Sequence, residues 1–147
     1  MQLKESYLEF TALTNYFRGF SLLLVRIALV YGFYGPALMK WSNIDATVEW
    51  FASLGIPFPA VSTFLTASFE VTAVVLFLLG LFTRFICLPL MVIMMVAIFT
   101  VHISNGFSVG DNGFEIPLYY FLFLSILATH GAGKFSLDYL FTKKEEL

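Results

Sequence analysis

The sequence predicts an all-α fold, an integral membrane four-helix bundle with short interfacial helices, and three observations carry that reading. Of the 147 residues, 59% are hydrophobic and 12% charged, whereas soluble domains run at about 45–50% and about 25%. Four apolar stretches, 19–39, 60–81, 85–103 and 116–131, alternate with polar turns. Eighteen Phe and seven Tyr suit spans that meet both lipid tails and headgroups.

The elements follow in chain order. Residues 7–17 predict a short interfacial helix leading into the first span. The acidic, aromatic segment ESYLEFTALTNYF precedes that span and Arg26 interrupts its core, so it reads as a retained helix and not as a cleaved signal. A helix needs about 20 residues, at a rise of about 1.5 Å each, to cross roughly 30 Å of hydrocarbon. The first three stretches meet that length. The fourth is short, and it spans if the helix continues through 131–133 or the bilayer thins around it. In the 41–59 connection, Val48, Phe51, Ala52 and Leu54 sit opposite Asp45, Glu49 and Ser53 at helical spacing, which predicts a helix on the outer interface. The GIPFP stretch ends that helix, because proline has no amide hydrogen to donate. The third connection, SNGFSVGDNGFE, is glycine-rich and has no basic residue. The domain reading is an N-terminal interfacial segment over 1–17, the bundle over 18–140 and a tail over 141–147.

Charge placement predicts orientation. Lys4, Arg18, Arg84, Lys134, Lys143 and Lys144 fall on one side of a four-span arrangement and Lys40 on the other, which places both termini in the cytoplasm. With a net charge of −2 and no basic run, nothing resembles a surface that tracks phosphates, and nucleic acid is excluded as a partner. Cys87 is the only cysteine, which excludes an internal disulfide or a CxxC relay. No nucleophile–base triad, phosphate-cradling glycine loop or dinucleotide fingerprint is present. Autonomous hydrolase or dehydrogenase activity is therefore not expected.

Arg26 and Glu70 are the first candidate site. An isolated charge at mid-membrane costs about 2.5–3.5 kcal/mol even on insertion scales, so each must face the bundle and find a partner. Counted from the cytoplasmic ends of their spans, the two differ in depth by about four residues, or roughly 6 Å, which predicts that they pair. Thr63, Thr66, Ala67, Ala73 and Val74 share the face of Glu70 by helical spacing, and small residues favour close helix packing. The pair either fixes helix register or shapes a polar cavity for a ligand or a proton.

A second group, Lys40, His102, Asn105 and Glu115, falls at the outer ends of the spans. There a titrating imidazole, a carboxylate and a fixed positive charge form an outer gate if they converge. Individually, Lys40 snorkels, His102 caps its helix and Glu115 complements a helix N-terminus. At the cytoplasmic end, Arg84, His130, Lys134 and Asp138 predict an interfacial network, with Ser136 as the N-cap of a short tail helix. His102 and His130 fall nearly a bilayer apart, which argues against a shared haem. Met91, Met94 and Met95 precede His102. Thioethers suit Cu(I), so Met91, Met95 and His102 are the residues a copper site would use, although packing is the favoured reading of these methionines.

Seven segments in order, LVRIALVYGFYGPALMK, LGIPFP, FE at 69–70, LGLFTR, HISNGF, FEIPLYY and GAGKFSLD, resemble the DoxX family of small four-span membrane proteins over residues 18–140. The resemblance implies a membrane subunit associated with quinone-linked thiosulfate oxidation or with other redox and maturation systems, in one branch those of copper-binding secreted peptides. Two functions follow as expectations. The first is a redox-associated subunit that binds a quinone or lipid-like ligand and acts with a partner protein, with Arg26 and Glu70 shaping its cavity and His102 and Glu115 its gate. The second is a non-catalytic membrane scaffold or maturation factor for a secreted partner, for example a metal-binding one; under either function the chain is expected to assemble with a protein partner or as a homo-oligomer. A small transporter ranks below both, because four short spans make a small pathway and no inverted repeat is visible.

Overall fold

A computed structural model describes residues 2–144 as helices joined by short turns, with no strand among the described residues. Helix α1 covers Gln2–Tyr16, α2 Arg18–Ser42, α3 Ile44–Ser53, α4 Pro59–Leu79, α5 Thr83–Ala97, α6 Glu115–His130 and α7 Leu137–Lys144. A π-helical turn, Ile98–His102, extends α5 and a single 3-10 turn, Ile103–Asn105, closes it. Three helical segments, Arg18–Ser42, Pro59–Leu79 and Thr83–Asn105, are long and apolar enough to cross a membrane, and α6 is a shorter apolar helix. The interfacial helix expected over 7–17 begins five residues earlier.

Antiparallel pairs build the bundle, with α2 against α4 and α5 against α6. Leu29, Phe33, Ala73, Phe77, Cys87, Leu90, Leu124 and Leu127 form its interior. The buried face of α4 comprises Thr63, Ala67, Glu70, Ala73 and Phe77, the small-residue face expected around Glu70. Small residues there let α2 approach closely, and dispersion contacts hold the pair where lipid supplies no hydrophobic drive. Gly32 does the same between α2 and α6: a Cβ there would stand 2.2 Å from the Tyr120 hydroxyl oxygen.

Arg18, Gly80, Thr83 and Gly131 mark the end of the bundle near the chain termini, called here the terminal end. Lys40, Pro59, His102 and Glu115 mark the opposite, distal end. Amphipathic α3 is the helix expected in the 41–59 connection, with Phe51 and Thr47 buried against the bundle. Phe58 then takes a left-handed conformation between Pro57 and Pro59 to start α4, redirecting the chain where proline cannot continue the preceding helix.

Candidate functional site: a buried ion pair in an apolar cleft

Lys40, in the last turn of α2, donates to both carboxylate oxygens of Glu70, at 3.1 Å to Oε1 and 2.9 Å to Oε2. The two side chains are 11% and 3% exposed. Next to Lys40, the Trp41 indole donates to the carbonyl of Ala67, at 3.1 Å. Both contacts set one register between the helices, with the end of α2 level with the middle of α4.

That register overturns the expected Arg26–Glu70 pair. Arg26 stands level with the last turn of α4, seven to eight residues from Glu70, which is about 10–12 Å along the axis. Its Nε donates to the carbonyl of Phe77 at 2.8 Å, and one terminal nitrogen donates to that of Leu78 at 3.0 Å. The other terminal nitrogen donates to the carbonyls of Ala132 at 3.2 Å and Phe135 at 2.7 Å. The expected pairing requires the ends of the two spans to be flush. In fact α2 runs past the end of α4 and packs its first turn on the segment after α6, where a Cβ on Gly19 would stand 3.3 Å from the Cβ of Lys134. Arg26 thus serves backbone carbonyls that a helix end leaves unpaired, in the negative field of the α4 terminus. Gly80 makes this approach feasible: its φ is +65°, and a Cβ there would stand 2.7 Å from the guanidinium carbon of Arg26 and 2.5 Å from the Cβ of Ser136.

The ion pair forms part of the wall of a cleft of about 780 Å³ in the distal half of the bundle. Phe33 and Pro36 of α2, Phe51 and Ile56 of the α3 region, Leu65 and Phe69 of α4, Val92 and Met94 of α5, and Ile116 of α6 make its walls mostly apolar. Leu65 and Val92 face the cleft and are 51% and 63% exposed, so it opens sideways between α4 and α5 toward the lipid. Pro36, which lacks an amide hydrogen, leaves the carbonyl of Gly32 without its usual helical donor at this wall.

His102 also faces the cleft, from the π-helical turn. Such turns re-aim side chains relative to a regular helix. Its Nδ1 stands 2.8 Å from the carbonyl oxygen of Asn112. Because a carbonyl only accepts, Nδ1 carries the proton, and in the neutral ring Nε2 is the acceptor. Nothing in the sequence signalled this turn.

The expected gate of Lys40, His102, Asn105 and Glu115 divides into three arrangements. Lys40 belongs to Glu70. Asn105 joins His102 on the Asn112 carbonyl, donating at 3.2 Å. Glu115 accepts from the amide of Val109 at 3.0 Å and the hydroxyl of Tyr119 at 3.2 Å. Its carboxylate therefore closes the glycine-rich loop, and the sequence overestimated convergence because it could not show where that loop folds back.

At the terminal end, Asp138 accepts from the amides of Phe82, at 2.8 Å, and Thr83, at 3.0 Å, anchoring α7 to the start of α5. Ser136 caps α7, accepting from the amide of Tyr139 at 3.2 Å. His130 Nδ1 contacts Thr129 and the carbonyl of Ile126. Arg84, His130, Lys134 and Asp138 share one cavity without a direct hydrogen bond linking them among the described residues. The expected network is thus a shared enclosure and not a chain of contacts. The methionines diverge, with Met94 buried in the interior and Met95 38% exposed. Among the described residues, no three His, Cys, Asp or Glu side chains come together. Cys87 is buried.

A membrane helical bundle with a charged pair at the wall of a lipid-facing cleft is the class that fold and site define. The DoxX family model matches residues 21–103, more than half of the chain, and the chain belongs to the DoxX family. It is 36% identical over 133 residues to an uncharacterized protein of Haemophilus influenzae, covering 85% of each chain. It is 41% identical over 63 residues to the inner membrane protein YphA of Escherichia coli, covering 43% of this chain and 45% of that one. No solved structure matches the chain.

Proposed function

We propose that this chain is a redox-associated membrane subunit that holds a quinone or comparable lipid-like amphiphile in the distal cleft and works with a partner protein. The observation that carries the reading is the Lys40–Glu70 pair, a compensated charge at the polar end of an apolar cavity open to lipid. An ammonium has three donors, and two are given to Glu70, which leaves one for a ligand carbonyl. The Nε2 of His102 accepts from a ligand hydroxyl. The reduced, quinol form of the headgroup meets both ends, one hydroxyl oxygen accepting from Lys40 and the other hydroxyl donating to His102, while the oxidised form keeps the carbonyl contact with Lys40, and the tail leaves between α4 and α5. In this reading the partner protein supplies the electrons.

The positive-inside bias supports a cytoplasmic terminal end and a cleft in the outer half of a bacterial plasma membrane. Helix α6, with 16 residues, covers about 24 Å and serves as the fourth span where the bilayer thins around it. Residues 18–140 act as the functional unit.

Purified protein in lipid nanodiscs, titrated with a quinone analogue, tests this reading. Saturable binding that Lys40→Met weakens at least about tenfold, the loss of roughly one charged hydrogen bond, supports it. Absence of saturable binding overturns it. A scaffold reading finds its support in α1, where Tyr7, Phe10, Leu13 and Tyr16 are all exposed. A partner that co-purifies stoichiometrically, with function retained in both Lys40→Met and His102→Ala, favours that alternative.

A further inference from the structure

The terminal end holds a second cavity, of about 1100 Å³, bounded by the start of α2, the start of α5 and the segment from His130 to α7. Arg18, Arg84 and Lys134 face it together with His130. None of the three fixed cations forms a salt bridge among the described residues. The carboxylate in the wall, Asp138, is committed to the amides of Phe82 and Thr83. The enclosure is therefore cationic.

Its walls hold the cations in place. Gly131 has a φ of +74°, and a Cβ there would stand 3.2 Å from Nε of Arg84, so the guanidinium packs against a glycine backbone. Lys134 lays its stem over Gly19 and its ammonium over the ring of Tyr16, 5.9 Å from the centroid. The rim is of the opposite character: Phe82 and Phe85, 58% and 73% exposed, stand edge to face at the cavity mouth. Cations inside and aromatic rings at the lip match an anion that carries an apolar chain. A guanidinium pairs with carboxylate or phosphate, and of the two phosphate has the further oxygens to accept from a guanidinium and an ammonium together.

We infer that this cavity seats a phosphate group, carried on the headgroup of an anionic phospholipid in the adjoining leaflet. The site is at the opposite end of the bundle from the quinone cleft and does not depend on that reading. Basic enclosures between helices at a membrane surface hold such headgroups.

Full-length protein equilibrated with equal amounts of phosphatidylglycerol and phosphatidylcholine, then released for native mass spectrometry, tests the inference. Phosphatidylglycerol is expected to be retained preferentially, and Arg84→Gln/Lys134→Gln to reduce that preference at least about tenfold. Lys4→Gln, a charge loss outside the cavity, is expected to leave it unchanged. Both substituted side chains in the double variant are exposed, so folding is retained and circular dichroism verifies it. A thermal stabilisation by inorganic phosphate that the double variant loses, without any lipid preference, keeps the phosphate site and overturns its lipid source. Preference unchanged in the double variant, or lost equally in Lys4→Gln, overturns the proposal.

Discussion

Lys40 Nζ stands 2.9 Å from Oε2 of Glu70, inside a cleft whose walls are otherwise mostly apolar. Two charges in such a place stabilise each other only as a pair, since each alone carries the full desolvation cost. This gives the first prediction. Lys40→Met or Glu70→Leu alone should lower stability by about 3–5 kcal/mol, and the double variant should recover much of that loss. Unfolding of all three in matched detergent measures the coupling, and losses that simply add would show that the pair is not coupled.

Arg26 supports a different prediction, because its partners are four carbonyls and no carboxylate. A lysine keeps the charge but has neither the planar fork nor the reach to serve all four. Arg26→Lys should therefore be destabilised by roughly 2–3 kcal/mol, about the value of the charge-assisted bonds lost, and should become sensitive to protease at the 131–136 turn. Quinone-analogue affinity of the folded fraction should not change. A shift in affinity equal to that of Lys40→Met would return Arg26 to the cleft.

Two glycines give a paired contrast. Gly80→Ala forces a side chain into a left-handed backbone and onto Ser136 and Arg26, which should cost about 1–3 kcal/mol. Gly35→Ala, in a helix and with nothing within 4 Å of its would-be Cβ apart from its chain neighbours, gains helix propensity but crowds the ring of Pro36, so it should stay within about 1 kcal/mol of neutral. Thermal unfolding of the two variants side by side decides it.

The contact of Gly32 with Tyr120 offers a test of packing at the cleft wall. Gly32→Ala drives a methyl group into the Tyr120 ring and should destabilise by about 1–3 kcal/mol, as overpacking does. Gly32→Ala/Tyr120→Leu should regain a substantial part of that, because the clash is with this one side chain. Equal losses in the single and double variants would place the strain elsewhere.

Much of the architecture was legible in composition and periodicity. Apolar runs marked the four main helices within a few residues, because burying a backbone in lipid demands helices of nearly fixed length. The face around Glu70 showed in its small residues, and the α3 helix in its alternation of Phe51 with Asp45 and Glu49. Ser136 as a cap and His130 at the end of α6 followed from local rules. The demand that Arg26 and Glu70 be accounted for also came from sequence, since a charge in an apolar span must be satisfied, whereas Lys40, read at the outer end of its span, carried no such demand.

Which partner satisfies each charge was settled only in three dimensions. Axial register between α2 and α4 depends on how Trp41, Ala67, Gly80 and Arg26 fit together across the interface, and a shift of two helical turns exchanges one partner for another. Span ends estimated from hydropathy do not resolve such a shift. The π-helical turn that aims His102, and the loop that diverts Glu115 to Val109, likewise arise from long-range backbone contacts with no local signature. Sequence alone therefore determined that this is a membrane helical bundle with buried charge. Tertiary structure decided that Lys40 and Glu70 line the cleft while Arg26 ties the chain together, because pairing is set by helix register and residue periodicity along one helix carries no register with another.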